Sequence, residues 1–254
     1  MGRLDDSVVI VTGGANGIGR WYCTALVQEG ARVVVCDIDG EGAAGFAGWL
    51  NERAGADRAH PIGLDVTSPE QTADLAAAVL SRFGAVDVLV NNAGSYPHVA
   101  FDDIDHDAWR QVIALNLDSV FLCCRAVLPV MRKQGHGAIV NVATNLVWSG
   151  LANMAHYIAA KSGVIGLTKA LAREYGEHGV RVNALAPGAV VPDLPDRPLT
   201  PAGQETVEEI LHYQSVKRHQ RPRDLVGAML FLCSPDSEFI SGQVLTVDGG
   251  LTMH

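Results

Sequence analysis

Tyr157 and Lys161 stand four residues apart in the helix-patterned stretch Ala155-His156-Tyr157-Ile158-Ala159-Ala160-Lys161. Side chains at that spacing leave one face of a helix about one turn apart. An ammonium close to a phenol favours the phenolate, and a tyrosine drawn down from its ordinary value near ~10 can serve as a general acid or base. Tyr–Lys pairs also arise by chance on helix surfaces, so position has to single this one out. The pair follows a predicted strand whose end carries a hydroxyl, Thr144.

A second group of residues could hold a phosphate-bearing partner for that pair. Thr12-Gly13-Gly14-Ala15-Asn16-Gly17-Ile18-Gly19 lies between the apolar run Val8-Val9-Ile10-Val11 and a helical pattern starting at Gly17. Glycines at a strand-to-helix turn let the backbone approach a pyrophosphate, and the first helical turn offers unpaired N–H groups and a positive dipole end. The loop alone is also an ordinary tight turn. About 20 residues further on, where a bound ribose would lie, the next apolar run ends in Asp37-Ile38. A carboxylate there accepts hydrogen bonds from ribose hydroxyls and repels a 2′-phosphate, which favours NAD over NADP. Arg20 is the nearby cation that complicates this preference. Asp65-Val66 could meet an adenine or cap the following helix, and the polar turn Asn91-Asn92-Ala93-Gly94 leaves room for an adenosine or is a turn alone.

The elements that must position these residues read as alternating strands and helices. Strands are expected at 8–12, 32–37, 59–65, 86–91, 137–143, 181–186 and 244–248. Helices are expected at 17–29, 40–53, 69–83, 107–133, 155–175 and 224–233. That order predicts an α/β fold: a Rossmann-type, doubly wound, parallel seven-stranded sheet with helices on both faces, in one domain over 1–254. An irregular insertion at 191–221, rich in proline and charge with a short helical pattern at 206–213, is placed to cover a ligand, or is a tolerated surface loop.

At 254 residues the chain can bury one substantial core. Its net charge of −9 argues against nucleic acid or an anionic membrane surface as partners. No apolar run is expected to span a bilayer, and the N-terminus lacks the apolar region of a signal peptide, so a cytoplasmic protein is expected. Cys23, Cys36, Cys123, Cys124 and Cys233 have no CxxC spacing, and the histidines no ligand spacing; reduced, buried thiols and no metal are expected.

Taken in order, the motifs resemble the short-chain dehydrogenase/reductase family along essentially the whole chain. The matching residues are 12–19, Asp37, Asp65-Val66, Asn91 to Gly94, Asn116 in Leu115-Asn116-Leu117, Tyr157 with Lys161, Pro187-Gly188 and the closing Val247-Asp248-Gly249-Gly250. The resemblance implies a catalytic tetrad of Asn116, Thr144, Tyr157 and Lys161. Tyr157 would exchange the proton with the substrate oxygen, Lys161 would hold the nicotinamide ribose and, together with an oxidised nicotinamide, bring the Tyr157 pKa toward neutrality, Thr144 would bond the substrate oxygen, and Asn116 would position a water. It also implies NAD held by Gly13, Asn16, Gly17, Ile18, Gly19, Asp37, Ile38, Asp65, Val66, Asn92, Ala93, Gly94, Tyr157, Lys161, Pro187, Gly188 and Val190. A homotetramer packed through the two long helices is the family's usual assembly.

Two positions depart from the family pattern. Threonine replaces the usual serine at Thr144, keeping the hydroxyl and adding a methyl; Ser149 is a rival donor in a less suitable place. Pro192 stands near the position of a threonine that contacts the nicotinamide carboxamide, leaving the Val190 backbone for that contact. Ser95, Tyr96, Asn145, Val147, Trp148, Leu151, Met154 and Leu194 are the candidate substrate-binding residues, although Trp148 and Met154 could equally be core or subunit contacts. This apolar, aromatic set suits a compact, uncharged, ring-bearing secondary alcohol or ketone. The segments 91–97, 156–161 and 239–254 are similar to the branch holding 1-phenylethanol dehydrogenase and pyridoxal 4-dehydrogenase. The competing readings are an acyl-carrier-protein ketoreductase and a catalytically silent NAD-binding sensor or scaffold.

Overall fold

The structure, a computed structural model, describes residues 2–192 and 201–253, with the backbone alone over 201–206. Leu194, a candidate substrate contact, lies outside the described residues, as does part of the insertion.

Seven strands form one parallel sheet: β1 (Val8–Thr12), β2 (Arg32–Asp37), β3 (Ala59–Gly63), β4 (Val88–Asn91), β5 (Gly137–Val142), β6 (Val180–Pro187) and β7 (Val244–Val247). Their order is β3-β2-β1-β4-β5-β6-β7, so the chain reverses its direction of winding between β1 and β4. A crevice opens at such a reversal, outside the carboxyl ends of the strands. Thr12 and Asn91 end the two strands that flank it, and Asn92 follows.

Both faces are covered, and β1 shows how. On one face Val9 and Val11 join a core with Leu26 of α1 (Gly17–Gln28), Phe46 and Leu50 of α2 (Gly40–Ala54), and Leu225 and Met229 of α9 (Arg223–Cys233). On the opposite face Val8 and Ile10 join Leu75 of α3 (Pro69–Phe83), Val127 and Met131 of α5 (Ser119–Gln134), and Val164 of α7 (Ala155–Tyr175). Full burial of each such side chain contributes roughly 1.5–3 kcal/mol, so a charge at Ile10 would be strongly destabilising.

Side chains fix several element boundaries. Asp39 accepts the Gly42 N–H at 2.9 Å to start α2, and Ser68 accepts the Gln71 N–H at 3.3 Å to start α3. β4 begins at Val88 rather than 86, because the Gln134 side chain takes both the N–H and the carbonyl of Val86, at 3.1 and 2.9 Å. β3 stops at Gly63 rather than 65, and Asp65 turns back to accept the Thr67 N–H at 2.9 Å.

The single helix expected at 107–133 is α4 (His106–Ile113), a π turn at Ala114–Asp118, and α5. Within that turn the Asn116 side chain donates to the Val112 carbonyl at 3.1 Å, competing for an acceptor the regular ladder would use. The helical run His106–Gln134 is, contrary to expectation, long and apolar enough by length and composition to cross a bilayer. Its apolar residues Val120, Cys123, Val127, Leu128 and Met131 are packed in the core, which accounts for that composition. A short helix not expected from the sequence, α6 (Leu146–Ser149), follows β5, and α8 (Pro201–Tyr213) lies in the insertion. All five cysteines are buried and free.

Candidate active site

The glycine loop leaves β1 and is braced from β4. The Asn92 amide donates to the carbonyls of Thr12 and Gly13, both at 3.1 Å, while the Thr12 hydroxyl accepts the N–H groups of Asn92 and Ala93 at 3.0 and 3.1 Å. Thr12 is not among the site residues expected from the sequence; its place at the end of β1, facing the turn after β4, is the signal that could have found it. Gly13 has φ +60°, and a Cβ on Gly19 would lie 2.0 Å from the Gly13 carbonyl oxygen. Helix and loop therefore touch backbone to backbone. Asn16 begins α1 with no side-chain cap, so the first-turn N–H groups face outward without a side-chain acceptor.

Asp37 ends β2 beside the glycine loop. One of its oxygens accepts the Ala15 N–H at 3.0 Å and the other the Asp39 N–H at 3.2 Å, which fixes the carboxylate and leaves acceptor capacity on both oxygens. Ile38 beside it is 77 % exposed, an apolar surface next to that carboxylate. The Arg20 guanidinium lies 4.0 Å above the Phe46 ring and is within 3.4 Å of the Ala15 carbonyl. Asp65 spends one oxygen on Thr67 at 2.9 and 2.7 Å, and Ser68 rather than Asp65 caps α3; the Val66 side chain is core.

The four tetrad residues come together at the same edge. Lys161, buried on α7, donates to the Val142 carbonyl at 2.8 Å, with its Nζ 5.9 Å from the centre of the Tyr157 ring. Asn116 donates to the carbonyls of Ser95 and Val112 at 3.0 and 3.1 Å, which leaves its buried Oδ1 with no donor among the described residues. A Cβ on Gly94 would meet that Oδ1 at 2.7 Å and Lys161 Nζ at 3.6 Å, so both polar atoms converge on Gly94. Thr144 is buried, accepts the Leu146 N–H at 3.3 Å, and stands near enough to the Tyr157 phenol to lower its pKa. Ser149, the rival hydroxyl, is exposed at the end of α6.

Burial pushes the Tyr157 phenol up to about 12, against the pull of the Thr144 hydroxyl and with a small added push from Tyr96. Burial likewise brings Lys161 down to about 8. Lys161 is directed at Val142 and is not among the groups that shift the phenol here; the lowering expected from Lys161 together with an oxidised nicotinamide concerns the coenzyme-bound protein.

The family described as enoyl-(acyl carrier protein) reductase matches residues 13–252. D-threitol dehydrogenase of Mycolicibacterium smegmatis is 35% identical over 251 residues, covering 99% of this chain and 95% of that one. The 7alpha-hydroxysteroid dehydrogenase of Escherichia coli K12 is 35% identical over 248 residues, 98% of this chain and 95% of that one. The 3-oxoacyl-(acyl-carrier-protein) reductase of Vibrio cholerae is 35% identical over 251 residues, 99% of each. A solved structure from Sinorhizobium meliloti 1021, described as a short-chain alcohol dehydrogenase, superposes with TM-score 0.90 at 32% identity over 98% of this chain and 97% of that one. The chain belongs to the short-chain dehydrogenase/reductase family.

As a short-chain dehydrogenase/reductase it is an oxidoreductase, and the family's nicotinamide cofactor, NAD or NADP, fits the residues present. The close backbone approach at Gly19, the uncapped start of α1 and the unpartnered Asn116 Oδ1 are the observations that accommodate it. The substrate candidates separate into two groups. Ser95, Tyr96 and Leu151 are exposed, and the Tyr96 ring stands edge-on to Tyr157 at 6.4 Å between centres. Asn145 is corrected: it is buried, and its amide donates to Asp248 at 3.1 Å. Met154 is buried at the start of α7, its carbonyl accepting the Ile158 N–H. Val147 and Trp148 line a separate cleft of about 360 Å³ with Ser162, Ile165, Lys169 and Gly242 to Val244, which includes none of the tetrad. Val190 pairs with Gln220 across an isolated bridge, and the Val191 N–H bonds the Gln220 carbonyl at 2.9 Å.

Proposed function

We propose that the protein interconverts a secondary alcohol and a ketone with NAD(H), on a compact apolar substrate bearing an aryl or cyclic group. The observation that carries this reading is the convergence of the Thr144 hydroxyl and the Tyr157 phenol, beside Lys161, at the edge of the sheet that also holds the glycine loop. When bound, a nicotinamide supplies the hydride acceptor or donor. Tyr157 holds the proton exchanged with the substrate oxygen. Thr144, whose oxygen accepts the Leu146 N–H, has one hydrogen, which turns from the phenol to the substrate oxygen when substrate is bound. Lys161 uses one of its three donors on Val142 and has the others for a ribose.

Asp37 supports NAD over NADP: its fixed carboxylate would repel a 2′-phosphate, and Arg20 is stacked on Phe46. The exposed Tyr96 and Leu151 support an apolar, ring-bearing substrate. A homotetramer in the cytoplasm, without nucleic acid or membrane as partner, goes with this reading. The similarity to the Vibrio cholerae reductase supports an acyl-carrier-protein ketoreductase as the second reading, against which stands the net charge of −9.

The test is a panel of racemic aryl, cyclic and linear alcohols and ketones with NAD(H) and NADP(H), run beside acyl thioesters. Turnover of free aryl or cyclic substrates with NAD(H) is expected; activity on thioesters alone would favour the second reading. Tyr157→Phe should lower turnover by at least about 10²-fold while NADH still binds. A wild-type protein that binds NADH and turns over nothing would instead be a sensor or scaffold.

A further inference from the structure

Asp248 is a buried carboxylate at the end of β7, and no cation pairs with it among the described residues. It accepts five hydrogen bonds: from Gly250 N, Leu251 N, Thr252 N, the Thr252 hydroxyl, and the Asn145 amide at 3.1 Å. Four come from the chain that immediately follows it. The fifth comes from the residue directly after Thr144, far away in sequence.

That fifth bond joins three strand ends. The Asn145 N–H bonds the Pro187 carbonyl at 3.0 Å, and the Gly188 N–H bonds the Val247 carbonyl at 3.0 Å. A Cβ on Gly188 would lie 2.8 Å from Asp248 Cβ, so the turns after β6 and β7 are in contact. Burial opposes ionisation of Asp248, yet the bonds from Thr252, Asn145 and Gly250 together hold its carboxyl below the usual range. The acceptor is therefore charged, which strengthens each bond it receives.

We infer that Asp248, acting through Asn145, is a positioning residue that holds the turn carrying Thr144 in place beside Tyr157 at the end of β5. The inference rests on the tetrad reading above. With the Asn145 backbone held by Pro187 and its side chain by Asp248, the turn carrying Thr144 is tied at two points. Releasing the side chain leaves that turn free to carry the hydroxyl away from the phenol. Because the Thr144 hydroxyl lowers the Tyr157 pKa, its departure raises that pKa, and the pH–rate profile for alcohol oxidation moves to higher pH.

The experiment compares wild type with Asn145→Ala, Asn145→Ser and Thr252→Val. Asn145→Ala should lower kcat about tenfold, shift the profile upward in pH and leave KM for the coenzyme unchanged. Asn145→Ser, too short to reach Asp248, should do the same if the alanine variant does not fold. Thr252→Val removes a tail donor to the same carboxylate and should keep the wild-type profile. A crystal structure of the Asn145 variant should show the Thr144 hydroxyl displaced from Tyr157, a readout independent of turnover. Unchanged kcat, profile and Thr144 geometry in the Asn145 variants would overturn the inference, as would an equal shift in Thr252→Val. Failure of wild type on the whole substrate panel would overturn the functional reading, while the crystal structure would still decide this one.

Discussion

Lys161 Nζ donates to the carbonyl of Val142 across 2.8 Å, which ties the middle of the catalytic face of α7 to the end of β5. The lysine is 3 % exposed, and desolvation lowers its pKa from 10.5 to about 8. Below about 8 the folded protein must hold a buried charge, and between about 8 and 10.5 the unfolded chain binds the extra proton, so this group's contribution to stability rises with pH across that window. The full span is on the order of 3 kcal/mol at about 1.4 kcal/mol per pH unit. Lys161→Met should flatten that rise in denaturant titrations from pH 8 to 10.5; an undiminished slope would place the titration elsewhere.

Asp37→Ala removes the carboxylate held by Ala15 and Asp39. The ratio of kcat/KM for NAD to that for NADP should fall by about tenfold or more. An unchanged ratio would show that the ribose does not lie at Asp37.

Gly19→Ala places a methyl 2.0 Å from the Gly13 carbonyl oxygen and 2.8 Å from Asn92 Nδ2. The loop must shift, so coenzyme binding measured by fluorescence titration should weaken by about tenfold or more, with a lowered Tm. Wild-type affinity would mean that helix and loop can separate without consequence for the site.

Thr144→Ser keeps the hydroxyl and should retain kcat within a few fold, whereas Thr144→Val should lower it by about 10²-fold and move the profile for alcohol oxidation to higher pH. Equal activity in both variants would remove the hydroxyl from the chemistry.

The sheet, its helices and the shared face of Tyr157 and Lys161 are legible in the sequence because they follow local signals, whereas Asn116 enters through the family resemblance alone. Apolar runs such as Val8 to Val11 alternate with helical patterns, and Tyr157 and Lys161 share a helix face by spacing alone. What stays hidden depends on contacts between distant residues. Asn145 reads as a pocket residue because it follows Thr144, and only the arrival of Asp248 at the end of β7 shows where its amide goes. Thr12 reads as the last residue of a strand until the turn after β4 is folded against it. Trp148 has the composition of a pocket wall, yet the geometry of α6 sets it on a different cleft. The Tyr157 environment is hidden for a related reason: spacing reveals a neighbouring charge but not the burial that raises the phenol.

The π turn at Ala114–Asp118 gives the long helix a change of phase. An α-helix advances about 100° per residue, so deleting one residue there would rotate every later side chain of α5 by about that angle. Val120, Cys123, Val127 and Met131 would leave the sheet while Asn116 lost its purchase on Ser95. Core and Asn116 amide thus depend on the same local helical register, which makes this short segment far less tolerant of a length change than an exposed loop.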